Sequence, residues 1–329
     1  MVTATRRALL AMGATALAVP HITAEAFAAA PMRAEAAPAW YRFRQGGFEM
    51  TVVSDGPLPI RPASSGFIGV NQSEMEGLLR SNFLATDHLP LEQNVLIVNT
   101  GRQLILFDAG MGNSMGALSQ MFGPTSGRLL ANMRAAGIEP AQIDLIALTH
   151  AHCDHCWGLV DANGAKVFPN AQVAISEADL NFWTNDANKR GPEFMTAFVD
   201  GAKKNLNAYR DRMVMARDGA DVAPGIRAMA LPGHSIGHTA YVISDGGQTI
   251  INSGDLSHHH VLLLQRPNWK FAFDSDPDQA ARTRVRFLDM VSTDRTEMLS
   301  YHFPWPGNGH VLKVGEGYAW VPAPVRTML

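Results

Sequence analysis

Short apolar runs alternate with amphipathic stretches along most of the chain, the pattern expected of strands alternating with helices. Residues 48–53, 93–98 and 103–107 have the length and branched-residue content of strands, and the Asn-Thr-Gly-Arg joint at 99–102 makes the last two a hairpin. Residues 143–148 form a further strand-length run. Residues 126–136, 177–185, 194–212 and 277–291 carry the apolar spacing and length of helices. Between 55 and 91 the composition turns to Pro, Gly and Ser with one helical patch at 74–80, which reads as a long surface excursion of the kind that often serves function. A second series of strands runs from Val173 through 241–243 and 249–251 to 298–301, so the chain divides into two halves after His155. Periodicity alone yields a mixed α/β class. With no internal repeat, low-complexity tract or linker, residues 37–329 read as one catalytic domain.

Where the run at 143–148 ends, the chain reads Thr149-His-Ala-His-Cys-Asp-His-Cys-Trp-Gly158. Imidazoles and a carboxylate crowded this closely compete for solvation unless something neutralises and orders them, and a borderline-soft divalent cation prefers these ligands. Alternation at the strand end puts His150 and His152 on one side, and the following turn brings Asp154 and His155 to a neighbouring position. The spacing therefore calls for two adjacent metals. The plain alternative is a polar loop whose histidines bond backbone carbonyls. Further ligands are required from elsewhere, and they are present: Leu231-Pro-Gly-His234, Ile250-Ile-Asn-Ser-Gly-Asp255 and Leu299-Ser-Tyr-His302 each place a His or Asp just after an apolar run.

His-x-His-x-Asp-His followed by Gly-His, Gly-Asp and a late His resembles the metallo-β-lactamase superfamily over nearly the whole chain after its first thirty residues, and most closely the branch of methyl parathion hydrolase and related lactonases. The resemblance implies a four-layer αββα sandwich. It also implies that His150, His152 and His234 hold one metal, that Asp154, His155 and His302 hold the other, and that Asp255 touches both. A water ionised between the two cations would then be the nucleophile, with no serine or cysteine required. The same His and Asp set serves zinc, the first expectation, or manganese, cobalt or iron. Asp108, in Phe107-Asp-Ala-Gly-Met111, resembles the family's Asp-x-Gly element and is read as orienting a ligand histidine. His238 is a candidate supporting donor, with a purely structural histidine as the alternative. His258, first of the His258-His259-His260 trio, is a candidate for orienting the carbonyl or shuttling a proton. Phe122, Trp183, Phe198, Phe271 and Phe273, with His258, are expected to build an aromatic pocket; the positions of Phe122 and Trp183 resemble that of the same branch.

The 329 residues, 47% of them hydrophobic, can bury one large core, and a net charge of −3 offers no basic footprint for nucleic acid. Thr5-Arg-Arg-Ala-Leu-Leu10, an uncharged stretch to Pro20 and Ala26-Phe-Ala28 make residues 1–30 an export signal that resembles the twin-arginine type. Its apolar stretch is too short to span a bilayer, so a periplasmic or secreted protein without stable membrane association is expected. The only cysteines, Cys153 and Cys156, are read as small buried thiols beneath the site. The motifs hold no lysine or arginine to clamp an anion, and His258, Phe271 and Phe273 would crowd a bulky phosphotriester. Neutral, apolar lactones or aryl esters, with dihydrocoumarin as the model, are the expected substrates, with phosphotriester hydrolysis as a side activity. A methyl parathion-type phosphotriesterase and an N-acyl-homoserine lactonase are the alternatives, and a non-catalytic metal-binding protein is the reading from another class. The excursion at 55–91 is a candidate clasp for a homodimer.

Overall fold

The computed structural model describes residues 39–328, so the expected export signal lies outside the described residues. Two seven-stranded mixed sheets face each other. The first runs in the order Trp40–Gln45, Phe48–Ser54, Asn94–Asn99, Leu104–Phe107, Leu145–Ala147, Gln172–Ile175 and Met213–Met215, antiparallel at the start and parallel from Leu104–Phe107 onward. The second contains Asp221–Ala223, Ile226–Ala230, Thr239–Asp245, Gln248–Asn252, Glu297–Leu299, Asn308–Val314 and Gly317–Pro322. Its one parallel pair joins Gln248–Asn252 to Glu297–Leu299.

The strand at Asn94–Asn99 shows why four layers form. Leu96 and Val98 point at the second sheet and share a core with Tyr241, Ile243 and Ile250. Val95 and Ile97 point the other way, into a core closed by helical residues such as Met133, Val199 and Leu206. A strand buried on both faces is apolar from end to end. A third core packs the helix Pro277–Thr293, through Phe287, Leu288 and Val291, on the outer face of the second sheet. The result is helix, sheet, sheet, helix, as the family resemblance implies.

The boundary between the halves differs from the one read in the sequence. Gln172–Ile175 pairs in parallel with Leu145–Ala147 and belongs to the first sheet, so the division falls after Met215 rather than after His155. Periodicity marks a strand but not its partner. The helix expected over 194–212 ends at Asn207, with a separate single turn at Arg210–Arg212. The one expected over 126–136 spans Leu129–Ala135, because Gly127 takes a positive φ of 82° just before it. The excursion at 55–91 is less a surface loop than a wall. Its short strands Leu58–Ile60 and Leu89–Leu91 pair, its helix Gln72–Ser81 packs inward, and Ile60, Phe67 and Leu79 share a core with Leu262, Leu263 and Phe271.

Candidate metal centre and its cavity

The candidate metal-ligand motifs singled out in the sequence emerge at one end of the sandwich. The strand Leu145–Ala147 runs into His150 and His152, and the single turn Cys153–Cys156 carries Asp154 and His155. That turn sits tight against the neighbouring loop: Ala109 N donates to the His155 carbonyl at 2.7 Å, and Gly158 N to that of Gly110 at 3.0 Å. A Cβ on Gly158 would lie 1.9 Å from the Ala109 oxygen, so only glycine fits after the motif. His234 follows the strand Ile226–Ala230, Asp255 follows Gln248–Asn252, and His302 follows Glu297–Leu299. Gly254, with φ of 50°, turns the chain so that Asp255 points back to the histidines.

The side chains converge. Asp255 Oδ2 lies 3.1 Å from His302 Nε2 and from His258 Nε2, 3.3 Å from those of His155 and His234, and 3.9 Å from that of His150. Ligand atoms of His150, His152 and His234 gather within 4.8 Å of one another, as do those of Asp154, His155 and His302, and Asp255 groups with His150 and His155. The two sets and the carboxylate named from the sequence are among these groupings, and His258 also groups with Asp255 and His302 and with His234 and Asp274.

Two observations test whether cations fit. First, His234 Nε2 and His150 Nε2 stand 3.1 Å apart. His234 Nδ1 donates to Asp274 Oδ1 at 2.9 Å and His150 Nδ1 to Thr149 Oγ1 at 3.0 Å, so in the neutral rings both Nε2 atoms present lone pairs. Facing lone pairs repel unless a positive charge lies beside both, which either a shared cation or, without metal, the proton that His234 holds can supply. Second, Asp154 Oδ2, His155 Nε2 and Asp255 Oδ1 are buried with no hydrogen-bond partner among the described residues. Orphaned buried polar atoms are costly, and a divalent cation satisfies them together. The residues fit a two-metal centre.

The outward faces of the rings are tied as metal ligands require. His155 Nδ1 donates to Asp108 Oδ2 at 2.9 Å and His302 Nδ1 to the Glu92 carbonyl at 2.7 Å. Thr149 Oγ1 donates to Asp108 Oδ2 at 2.9 Å, so one carboxylate steadies two ligand rings. Asp108 itself adopts φ of 64°, uncommon for a non-glycine residue. His238 accepts Asp255 N on Nε2 at 3.0 Å, with its Nδ1 on the Leu231 carbonyl, and so supports the shared carboxylate through its backbone. Sequence reading missed Asp274 and also Asp179, which is fully buried and accepts from Ala151 N and Gly237 N, clamping the two ligand-bearing loops together. Neither aspartate stands in a recognisable motif; only the fold brings them in.

Electrostatics follow from this crowding. Burial pushes the Asp154 carboxyl up, but His155 and His302 outweigh it and hold it at about 2. Burial pushes Asp255 up too, and His155, His302 and His258 hold it well below the usual carboxylate range. Burial and then the neighbouring imidazoles push His150 and His152 far down, which keeps their lone pairs available. For His234 burial favours the neutral ring, yet Asp255 and Asp274 raise it to about 9. Cations compete with such protons, so metal affinity rises with pH. Both cysteines are free thiols raised by burial; Cys156 bonds the Ala151 carbonyl under the site while Cys153 faces the cavity.

A cavity of about 220 Å³ opens over the centre. Phe122, Phe198, His258, Phe271 and Phe273 line it as expected, and Leu58, Ile60 and Leu91 of the excursion complete the wall. Trp183 does not belong to this lining. It is buried behind His152, ring centroids 5.0 Å apart, and serves the helix-side core because its helix Glu177–Trp183 turns that face inward. Arg61, absent from any motif, reaches the rim, where Nη1 donates to Asp87 Oδ2 at 3.1 Å.

Comparison with known proteins agrees with this geometry. The model of the metallo-beta-lactamase superfamily matches residues 88–302. A probable metallo-hydrolase of Mycobacterium tuberculosis is 23% identical over 221 residues, covering 60% of this chain and 66% of that protein. Among solved structures, AidC, a dizinc quorum-quenching lactonase in complex with a product, superimposes with a TM-score of 0.82 at 29% identity, covering 88% of this chain and 99% of that one. The hydrolase AbOPH, of the beta lactamase superfamily, gives 0.80 at 28% identity, covering 89% and 100%.

Proposed function

This chain belongs to the metallo-β-lactamase superfamily and is a binuclear metal-dependent hydrolase, and we propose that its substrates are neutral, apolar lactones and aryl esters. His150, His152 and His234 would hold one cation, Asp154, His155 and His302 the other, with Asp255 reaching both. Two divalent cations, when bound, supply the Lewis acidity that polarises a carbonyl and lets water act as a nucleophile near neutral pH.

The observation that carries the substrate reading is the shape beside the centre. His258 stacks on Phe271 with centroids 3.8 Å apart and planes 17° apart, and on His302 at 5.2 Å and 22°. This stack, anchored by His258 Nε2 donating to Asp255 Oδ2, forms one flat side of the cavity of about 220 Å³, a wall that we read as suiting a planar carbonyl better than a phosphorus carrying substituents in every direction. Burial, the largest cause, holds His258 at about 4, so the ring is neutral at pH 7 and orients substrate as a flat wall. Asp154 and Asp255, held low by the imidazoles around them, are poor proton donors at that pH. Leaving groups that depart with little help, such as phenoxides with a conjugate acid near pKa ~10, are therefore favoured. Similarity to AidC supports a second reading, N-acyl homoserine lactones, whose acyl chain would lie along Phe122 and Phe198.

The test is kcat/KM for dihydrocoumarin, p-nitrophenyl esters, acyl-homoserine lactones and methyl parathion, with and without a chelator. Chelator-sensitive preference for the carboxylic substrates is expected, with His302→Ala collapsing turnover by orders of magnitude. Preference for methyl parathion would reject the substrate reading, and flat turnover on all four with metal bound would leave a non-catalytic protein. Export to the periplasm rests on residues 1–30 alone, and cell fractionation checks it.

A further inference from the structure

Arg284 is the least expected residue near the centre. It sits mid-way along the helix Pro277–Thr293 with no exposed surface, where a long charged side chain is rare. All three nitrogens of its fork face acceptors. Nε donates to the Leu256 carbonyl at 2.9 Å, and Nη1 to the Pro267 and Trp269 carbonyls at 2.9 and 2.8 Å. Nη2 faces Asp274 Oδ2 at 3.4 Å, and the other oxygen of Asp274 accepts from His234 Nδ1 at 2.9 Å.

The destinations of these bonds matter more than their number. Leu256 directly follows Asp255, so one arm of the fork holds the backbone next to the shared carboxylate. The second arm holds the start of segment 267–274, which carries Phe271 and Phe273 into the cavity. The third steadies the carboxylate that leaves His234 its Nδ1 proton and turns Nε2 inward. A guanidinium that merely filled the core or neutralised Asp274 would have no reason to bond these three segments. A planar, five-donor fork does what a lysine ammonium, a single point of charge, cannot.

We propose that Arg284 and Asp274 are positioning residues. Together they hold His234 in the tautomer and orientation for one cation of the pair, and they set the wall bearing Phe271 and Phe273 at a fixed distance from it. The probe is zinc, bound to the full chain and withdrawn by a chromophoric chelator. Asp274→Asn weakens one zinc equivalent about ten- to a hundredfold and leaves the second near its original affinity, whereas Asp108→Asn, whose carboxylate supports a ring of each set, weakens both. Arg284→Lys weakens the same equivalent as Asp274→Asn. The double variant is within about twofold of the weaker single one, since the two act in series. Circular dichroism establishes that each variant is folded. Unchanged affinity of both equivalents in Asp274→Asn overturns the proposal whatever Arg284→Lys does, and fully additive effects sever Arg284 from it.

The wall is read separately and rests on the hydrolase reading. In Arg284→Lys with zinc saturating, KM for a bulky aryl ester rises several-fold more than KM for a small acetate ester, while kcat changes less. Equal changes in both KM values refute the coupling to the wall. A protein that shifts zinc affinity as described but turns over no ester sinks the hydrolase reading and leaves the positioning pair standing.

Discussion

At the scale of single residues, the tautomer of each imidazole is set by what its outer nitrogen touches. His259 lies outside the metal centre and shows this most simply. Its Nδ1 accepts from both Val261 N and Leu262 N at 3.2 Å, so a second proton can enter only by breaking both bonds. Burial holds its pKa at about 3 and that of the stacked His260 at about 4, against an ordinary 6.5. Both folded values lie below the unfolded one. Below pH 6.5 the unfolded chain therefore takes protons that the folded chain refuses, and stability falls as pH drops through the window towards 4 and 3, at about 1.4 kcal/mol per pH unit for each ring. His259→Asn keeps an acceptor for the two amides and removes one titration. Urea midpoints between about pH 6 and 4.5 are expected to fall less steeply in that variant by one proton's worth. Identical slopes would show that His259 is not an acid-labile point.

At the scale of elements, the cavity wall depends on how closely the helix Phe194–Asn207 approaches the metal-motif turn. Gly201 makes that approach possible: an added Cβ would lie 2.2 Å from Cε2 and Nε1 of the buried Trp157. Two effects oppose each other in Gly201→Ala. Helix propensity gains about 1 kcal/mol, whereas forcing a methyl into a packed core costs about 1–3 kcal/mol. Overpacking wins, because Trp157 is wedged edge-on against Phe122 and Phe198 and has nowhere to move. The variant is expected to melt lower and to show a raised KM, since both phenylalanines line the cavity, while retaining two metals. Calorimetry, steady-state kinetics and metal analysis check each part, and a higher melting temperature would mean that the propensity term dominates.

At the scale of the whole molecule, the centre joins the two sheets. His150, His152, Asp154 and His155 come from loops of the first, and His234, Asp255 and His302 from loops of the second. Cations bound there connect halves that otherwise meet through apolar packing and a few hydrogen bonds, such as those of Asp179 and Asn94. Removing them leaves buried carboxylate and imidazole atoms without partners, so the loss is felt across the fold. Chelation is expected to lower the melting temperature as one cooperative transition. Zinc at a hundredfold over its Kd restores about 2.7 kcal/mol. An unchanged melting curve after verified metal loss would show that the sheets need no such tie.

What was legible in the sequence was what neighbours along the chain decide. The apolar run at 93–98, the hairpin joint at 99–102 and the crowding of His150, His152, Asp154 and His155 are local patterns, and local sterics and ligand chemistry suffice to read them. His234, Asp255 and His302 were legible because each ends an apolar run, and in α/β folds strand ends are where chemistry collects. Trp183 was misplaced because an aromatic on an amphipathic helix looks the same whether it faces substrate or core. The partner of Gln172–Ile175, the wall built by the excursion, and the roles of Asp179, Asp274 and Arg284 depended on contacts between segments far apart in sequence. The backbone hydrogen bonds and side-chain burial that select them exist only once the sheets have closed on each other.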